Sequence, residues 1–325
     1  VSIKEYISKI GILDTSISSL NLGDYIIMDA TTKTLSEVLP NQQHVSFSTH
    51  DSMGRVGFKR QKFIEKNILC GTNCLNSSML LHRQWNVGIT STILMAKTVT
   101  LGVGWGRYES APDHYTSWLL KSLICKEMLS SVRDNYTLNY LRKSGISNSI
   151  LTGCPTLWPL TPSFCRNIPT GKSENVVFTL TDYRSDPLSD KNLLNILYKE
   201  YDNIYFWPQG SYDLEYAISL DRDILQKVNL IPPNLKSFDM TLTSDLTLDY
   251  VGTRLHAGIR AMQKERRAIV IGVDNRAIEK QKDFNVTVIK RSHIVSDLQD
   301  MIRKTFATEI TLPSKNIEIW KRQFN

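Results

Sequence analysis

The sequence predicts an α/β protein made of two halves, each a parallel sheet wrapped by crossover helices. Short apolar, β-branched runs alternate with amphipathic helical stretches along the whole chain, the pattern of strands joined by helical crossovers. The 325 residues exceed one ordinary core and suit two domains. Near the middle, Pro155, Pro159, Pro162 and Pro169 crowd a stretch that no regular helix or central strand can hold. A linker at 155–171 therefore divides two Rossmann-like domains, residues 1–160 and 161–305, followed by a terminal helix within 306–325. Open parallel sheets bind ligands beyond the carboxyl ends of their strands, so the active site is expected in a cleft between the two halves.

The first ten residues interleave charges with apolar positions and read as a short amphipathic helix rather than a secretory signal. In the first half, 23–39 and 114–126 read as helices, and 63–69, 98–102 and 130–132 as buried strands. In the second, 175–180, 203–207, 248–251, 268–273 and 285–289 carry strand patterns, while 190–201, 212–226, 254–264 and 294–305 carry helical ones. Segment 316–325 sets Trp320 and Phe324 one turn apart beside Lys321 and Arg322. The expectation is that it packs back on the first domain, with contact at a membrane interface as the alternative. No window reaches the roughly 18 apolar residues of a membrane span. The protein is accordingly expected in the cytoplasm, with the inner face of the cytoplasmic membrane as the place of any peripheral contact.

Hydrophobic residues at 41% and charged residues at 22% exclude a disordered or fibrous chain. Five cysteines make an odd set in a large chain and read as reduced structural thiols. The six histidines show no paired helical spacing, so no metal is expected. The formal charge of +7 favours anionic partners without naming one. Basic residues read as scattered, and the densest run, 264–267, is interrupted by Glu265. That run fits a solvated helix face better than a nucleic-acid footprint, so nucleic acid is not an expected partner.

The most informative segment is 249–259. An apolar strand ends at Gly252, Thr253 is positioned to cap a helix, and Arg254 and His256 fall in its first turn. Unpaired N–H groups, the positive end of the helix dipole, an Arg and a His together suit a phosphate or carboxylate. On spacing alone, a capped helix with a surface Arg and a hydrogen-bonded His remains equally open.

Gly252-Thr253-Arg254-Leu255-His256-Ala257, followed by a strand and then Val273-Asp274-Asn275-Arg276, resembles the signature of the polysaccharide pyruvyl transferase family. Other segments fit in the same order. Asn21-Leu22-Gly23-Asp24 resembles the family's Asn-x-Gly-Asp loop, 101–106 its Gly-x-Gly-x-Gly loop, and Val132-Arg133-Asp134 with Thr137 its Val-Arg-Asp-x-x-Ser/Thr element. Thr152-Gly153-Cys154-Pro155 resembles the Gly-Asp-Pro segment that follows. The chain departs from the pattern at Cys70-Gly71-Thr72-Asn73, where a Gly-Gly-Gly turn after a strand is usual, and at Cys154, where Asp is usual. It also carries Arg276 for the usual Lys, which keeps the charge but exchanges a point donor for a fork.

The resemblance implies a GT-B-like pair of Rossmann-like domains, acceptor side first and donor side second. It implies transfer of the enolpyruvyl unit of phosphoenolpyruvate onto two hydroxyls of one sugar in a bacterial cell-surface polysaccharide precursor, giving a cyclic ketal and phosphate without a cofactor. The acceptor would be a glycan or lipid-linked oligosaccharide. Arg133, Arg254 and Arg276, with Thr253, would bind the donor, although Arg133 could instead pair with Asp134. His256 would be the general acid toward the donor's methylene carbon, and a nearby phosphate would raise its pKa into the useful range. Asp24 would bind or deprotonate an acceptor hydroxyl, or merely cap its helix. Asn21, Gly23, Asn73 and Gln209 would line the acceptor side of the cleft. Trp105, Tyr108, Tyr183 and Trp207 are candidates to stack on a sugar ring, or simply core. A GT-B glycosyltransferase using a nucleotide sugar competes with this reading, because an Arg at a helix start also holds a diphosphate.

Overall fold

A computed structural model describes residues 3 and 7–324 of the chain. Most of the amino-terminal helix expected over 1–10 lies outside the described residues, and Lys9 and Ile10 already belong to the first strand. The chain forms two compact units, one of residues 1–19, 27–158 and 312–325, the other of 20–26 and 159–311.

The first unit runs β1 (Lys9–Asp14), α1 (Leu22–Val38), β2 (Gln43–Ser48), α2 (Arg55–Gln61), β3 (Lys66–Leu75), α3 (Ile89–Leu94), β4 (Thr98–Trp105), α4 (His114–Leu123), β5 (Ser130–Val132), α5 (Asn135–Lys143) and β6 (Ser149–Leu151). Its strands are parallel and ordered β2-β1-β3-β4-β5-β6. The central strands are covered on both faces, so Ile68, Leu69, Val99, Leu101 and Val103 are buried without an alternating polar face. Strands β1, β2 and β6 have no counterpart in the sequence expectation; β2 mixes Gln43, His44 and Ser46 among its apolar positions and lacks a clear period.

Two features of β3 and β4 correct the reading of this half. Residues 70–73, expected as a turn beyond a strand, lie inside β3, whose pairing with β4 shifts register between Thr72 and Leu75. Thr72 holds a φ of 132°, a region that favours glycine, so the position keeps a glycine's backbone without being one. The glycine-rich stretch 102–106 is largely strand rather than loop. A Cβ on Gly104 would lie 1.9 Å from Arg133 Nε, so this glycine admits a buried arginine.

The second unit runs β7 (Asn175–Thr179), α6 (Pro187–Glu200), β8 (Asn203–Phe206), α7 (Asp213–Leu220), β9 (Asn229–Leu230), α8 (Leu235–Leu242), β10 (Leu248–Gly252), α9 (Leu255–Gln263), β11 (Arg267–Gly272), α10 (Asn275–Phe284), β12 (Val288–Lys290) and α11 (Gln299–Arg303). The order is β12-β11-β10-β7-β8-β9, all parallel. The chain winds outward from β7 to one edge and from β10 to the other, which makes the β7/β10 pair the topological switch point. The helix expected over 212–226 is broken: α7 stops before Asp221, and a single turn, Ile224–Lys227, follows. Asn285, expected to open a strand, is the left-handed cap of α10 at a φ of 60°.

At the amino ends of β10 and β11, Arg267 is buried against Asp249, Nη1 to Oδ2 at 2.6 Å. Its Nη2 donates to the carbonyls of Met301, Ile302 and Lys304 at 3.0, 2.8 and 2.9 Å. One guanidinium thus fastens the end of α11 beneath the sheet.

The last helix, α12 (Ser314–Arg322), belongs to the first unit. Trp320 is buried with Trp158 at 6.1 Å and Phe324 at 4.9 Å between ring centroids. Asn316 donates to Leu151 O at 2.9 Å, and Gln323 accepts from Leu129 N at 2.7 Å. Both aromatics therefore pack into their own unit, which leaves the membrane alternative for this segment without its anchors. All five cysteines are buried thiols outside any disulfide. Among the described residues no helix is long and apolar enough to cross a membrane.

Candidate active site

The switch point of the second sheet collects most of the residues singled out by sequence. A Cβ on Gly252 would come 2.5 Å from Thr179 Oγ1, so the ends of β7 and β10 approach more closely than a side chain would allow. Thr253 N donates to Thr179 O at 3.1 Å, and its hydroxyl lies 2.8 Å from that of Thr181. Thr253 is therefore not the helix cap expected of it: Arg254 holds the N-cap position of α9 and makes no side-chain capping bond.

The reason is that the Arg254 side chain is held elsewhere. Its Nε donates to Leu180 O at 2.9 Å and to Asp213 Oδ2 at 3.1 Å, and its Nη2 donates to Asp182 Oδ1 at 2.8 Å and also to Asp213 Oδ1. Asp213 in turn accepts from the backbone N–H groups of Gly210 (2.7 Å), Gln209 (3.1 Å) and Asp182 (3.1 Å). Tyr250 donates to Arg254 O at 2.7 Å and fixes the backbone of the same residue. Burial works against the Arg254 cation, but Asp213, with Tyr183 and Asp182, outweighs it and holds the guanidinium above its ordinary pKa. A Cβ on Gly210 would fall 2.2 Å from Nη2, so only glycine leaves that nitrogen its place. One nitrogen, Nη1, is buried with no hydrogen-bond partner.

Tyr183 joins the second arginine to the first. The Arg254 guanidinium lies 4.8 Å over its ring, and its hydroxyl accepts from Arg276 Nη2 at 2.6 Å. Arg276, in the first turn of α10, also donates through Nε to Asp274 Oδ2 at 2.8 Å, and Asp274 caps the helix by accepting from Arg276 N at 2.9 Å. Burial opposes the charge of Arg276 too, and Asp274 and Tyr183 more than restore it. Tyr183 is half exposed, while Trp105 and Trp207 are fully buried, the latter stacked on Phe238 at 3.8 Å.

The loop before α1 docks on the same strand ends. Leu22 N donates to Gln209 O at 2.9 Å, Gln209 Nε2 to Asn21 Oδ1 at 2.7 Å, and Ser211 N to Leu20 O at 3.1 Å. Gly23 N also donates to Asn21 Oδ1, at 3.1 Å, and a Cβ on Gly23 would crowd Gln209 Nε2 at 2.8 Å. The next residue, Asp24, is buried in the first turn of α1, and Gln209 Oε1 is buried without a partner. His256 is buried in the first turn of α9. Asn21, Gly23, Asp24, Gln209, Thr253, Arg254, His256 and Arg276 all belong to the second unit or to strand ends and helix starts that it holds.

Arg133 and Asn73 belong to the first unit. Arg133 is buried at the end of β5, its Nε on Asp134 Oδ2 and its Nη2 on Trp105 O, both at 3.0 Å. Asp134 caps α5 through Thr137 N at 2.8 Å. Asn73 sits at the register shift of β3 with its Oδ1 buried and unpaired. Each of the three arginines meets a carboxylate in its own unit, and for Arg133 this is the pairing with Asp134 that the sequence left open beside donor binding. Sequence reasoning missed Asp213, Asp182 and Tyr250. The legible signal was an acid three residues beyond the strand-end glycine Gly210, but an acid there ordinarily reads as a helix cap. Among the described residues no three His, Cys, Asp or Glu side chains group as metal ligands.

A switch point that carries a fixed arginine, on parallel α/β units of this kind, defines a GT-B-like protein. The fold is similar over 97% of this chain and 98% of the other to UDP-GlcNAc 2-epimerase of Methanocaldococcus jannaschii, solved in complex with UDP-GlcNAc and UDP (12% identity, TM-score 0.54). It is likewise similar, over 98% and 95%, to UDP-N-acetylglucosamine 2-epimerase of Rickettsia bellii (9% identity, TM-score 0.54). No curated protein sequence matches the chain. The family model for polysaccharide pyruvyl transferase matches residues 21–275, from the docked Asn21 loop to the start of α10, and the chain belongs to that family. It is a transferase of polysaccharide biosynthesis.

Proposed function

We propose that the protein moves the enolpyruvyl unit of phosphoenolpyruvate onto two hydroxyls of one sugar in a bacterial cell-surface polysaccharide precursor, forming a cyclic ketal and releasing phosphate. The observation that carries this reading is the Arg254 guanidinium, locked by Asp213, Asp182 and Leu180 with Nη1 buried and unmet, at the head of α9 and joined through Tyr183 to Arg276. A donor with a carboxylate and a phosphate on a three-carbon skeleton needs cationic N–H donors close together, and this pair offers Arg254 Nη1 with the Arg276 guanidinium one tyrosine ring away. The first turn of α9 adds N–H groups that no helical carbonyl can satisfy.

In the proposed reaction His256 gives a proton to the donor's methylene carbon, which becomes a methyl group. The first sugar hydroxyl bonds the adjacent carbon, the bond from that carbon to the phosphate oxygen breaks, and the second hydroxyl takes the vacated position. Of the two hydroxyl protons, one restores His256 and the other leaves through Asp24 to the departing phosphate. Arg254 and Arg276 hold the phosphate as it gains charge. Asn21, Gly23, Gln209 and Asn73 are assigned to the acceptor sugar, and Thr253 and Arg133 to the donor. The acceptor is a glycan or lipid-linked oligosaccharide, and the reaction is placed on the cytoplasmic side of the membrane.

The test is incubation with phosphoenolpyruvate and a panel of lipid-linked and artificial glycosides, followed by mass spectrometry. One pyruvyl ketal gained per phosphate released is the expected result. Sugar transfer from a nucleotide sugar with phosphoenolpyruvate inert would replace the reading with a glycosyltransferase.

A further inference from the structure

The charge of the chain is not evenly spread, contrary to the sequence expectation. Residues 52–108 contain eight Lys and Arg and a single acid, Glu65, an excess equal to the +7 of the entire chain. The remainder is neutral, so the anion-ready site of the second unit owes nothing to a general positive field.

The same stretch of the first unit is unusually apolar at its surface. Leu81 is 76% exposed, Ile93 75% and Ile89 60%, with Leu80 and Leu94 beside them in sequence. Two hollows open on the same segment, and Leu80 and Ile89 line the first of them. One, of about 380 Å³, is lined by Phe58 of α2, Leu80, Arg83, Ile89 of α3 and Tyr115 of α4. The other, of about 520 Å³, is lined by Thr92 of α3, Trp118 of α4, Lys97, Lys121 and Lys126, with one acid, Glu127. Helix α3 contributes to both, and the rings of Tyr115 and Trp118 lie 5.9 Å apart between them, so the two form one continuous surface. The three lysines cluster at the hollow beside Trp118.

We propose that this face of the first unit, centred on α3 and the 78–94 segment, seats the protein on an anionic lipid bilayer. Exposed Leu and Ile side chains gain by entering the acyl boundary, an indole prefers the interface, and lysines around them meet lipid phosphates. Nucleic acid would use the lysines but leave the Leu and Ile side chains in water. A second copy laid face to face would bring like charges together, since Arg83, Lys97, Lys121 and Lys126 outnumber the one acid, Glu127, and this opposes a self-dimer. The proposal is independent of the donor chemistry of the second unit.

Flotation with vesicles of equal parts phosphatidylglycerol and phosphatidylcholine, against pure phosphatidylcholine, tests it. The expected result is binding to the anionic vesicles only, weakened by salt. Lys97→Gln with Lys121→Gln should lower partitioning on the order of 20-fold, and Leu81→Glu with Ile93→Glu should abolish it. These side chains are exposed, so thermal melts should be unchanged. The proposal is overturned if the anionic vesicles do not bind, if all variants bind equally, or if sedimentation shows a dimer that the Leu81→Glu, Ile93→Glu variant dissolves.

Discussion

Arg254 illustrates why the obvious substitution is the poorer experiment. Its guanidinium neutralises Asp213, which is fully buried, so Arg254→Ala leaves an uncompensated carboxylate and should cost about 3–5 kcal/mol of stability. Any fall in donor binding by that variant would be mixed with partial unfolding. Arg276 is less deeply buried than Arg254, its side chain 14% exposed against 2%, so Arg276→Gln, which keeps an N–H donor near Asp274, should cost less stability while weakening phosphoenolpyruvate binding by roughly ten-fold or more, read by calorimetric titration. Equal affinity would remove Arg276 from the donor site. His256→Ala should lower turnover by about 10²–10⁴ and spare donor affinity, and near-normal turnover would refute its role as the acid. Gly210→Ala drives a methyl to within 2.2 Å of Arg254 Nη2 and should displace the guanidinium, with lost donor binding in a titration as its sign.

At the scale of elements, two features separate scaffold from site. Arg267 and Asp249 lie at the amino ends of β11 and β10, the opposite end of the sheet from the switch point. Arg267→Met should destabilise the protein by about 3–5 kcal/mol in chemical denaturation, because Asp249 and three carbonyls of the α11 end lose their cation together. Donor affinity measured below the transition should stay unchanged. Helix α12 is the other feature. Truncation before residue 312 strips Trp320 from Trp158 and should lower the melting temperature by several degrees. Vesicle binding by the truncated protein should persist at temperatures where it is folded, since the basic apolar face lies elsewhere.

At the scale of the whole molecule, chemistry and charge are divided between the two units. The second unit holds the switch point with its paired arginines, each balanced by a carboxylate. The first holds the stretch in which all the net charge resides. Paired arginines bind a small anion by directed hydrogen bonds more than by net field, whereas a cluster of exposed lysines acts through the field that salt screens. Donor binding should therefore respond weakly to ionic strength and vesicle partitioning strongly. A parallel salt dependence in the two assays would contradict that division.

The buried strands were legible because strands covered on both faces read as continuous apolar runs, and β4, β7, β8, β10 and β11 were found that way. Helices α8 and α10 were not: α10, with the sequence NRAIEKQKDF, offers only a narrow apolar stripe, and its face is chosen by contacts with β11 and β12. Gly252 to Ala257, Gln209 and Arg276 were legible as candidates because special residues stood at predicted strand ends, and Asp24 because it opens the first helix in an Asn-x-Gly-Asp motif. What those residues touch was not. Asp213 lies 41 positions from Arg254 in sequence, and nothing local distinguishes it from an ordinary helix cap. By itself the sequence determined the α/β class, the family and the residues at the strand ends, since periodicity and short motifs are local properties. Only the tertiary structure decided that each arginine comes with its own acid, that Thr253 binds a neighbouring strand instead of capping a helix, and that the basic stretch is also an exposed apolar face. Those facts depend on pairings between distant residues, which are set by strand order and side-chain contact and leave no mark in a local pattern.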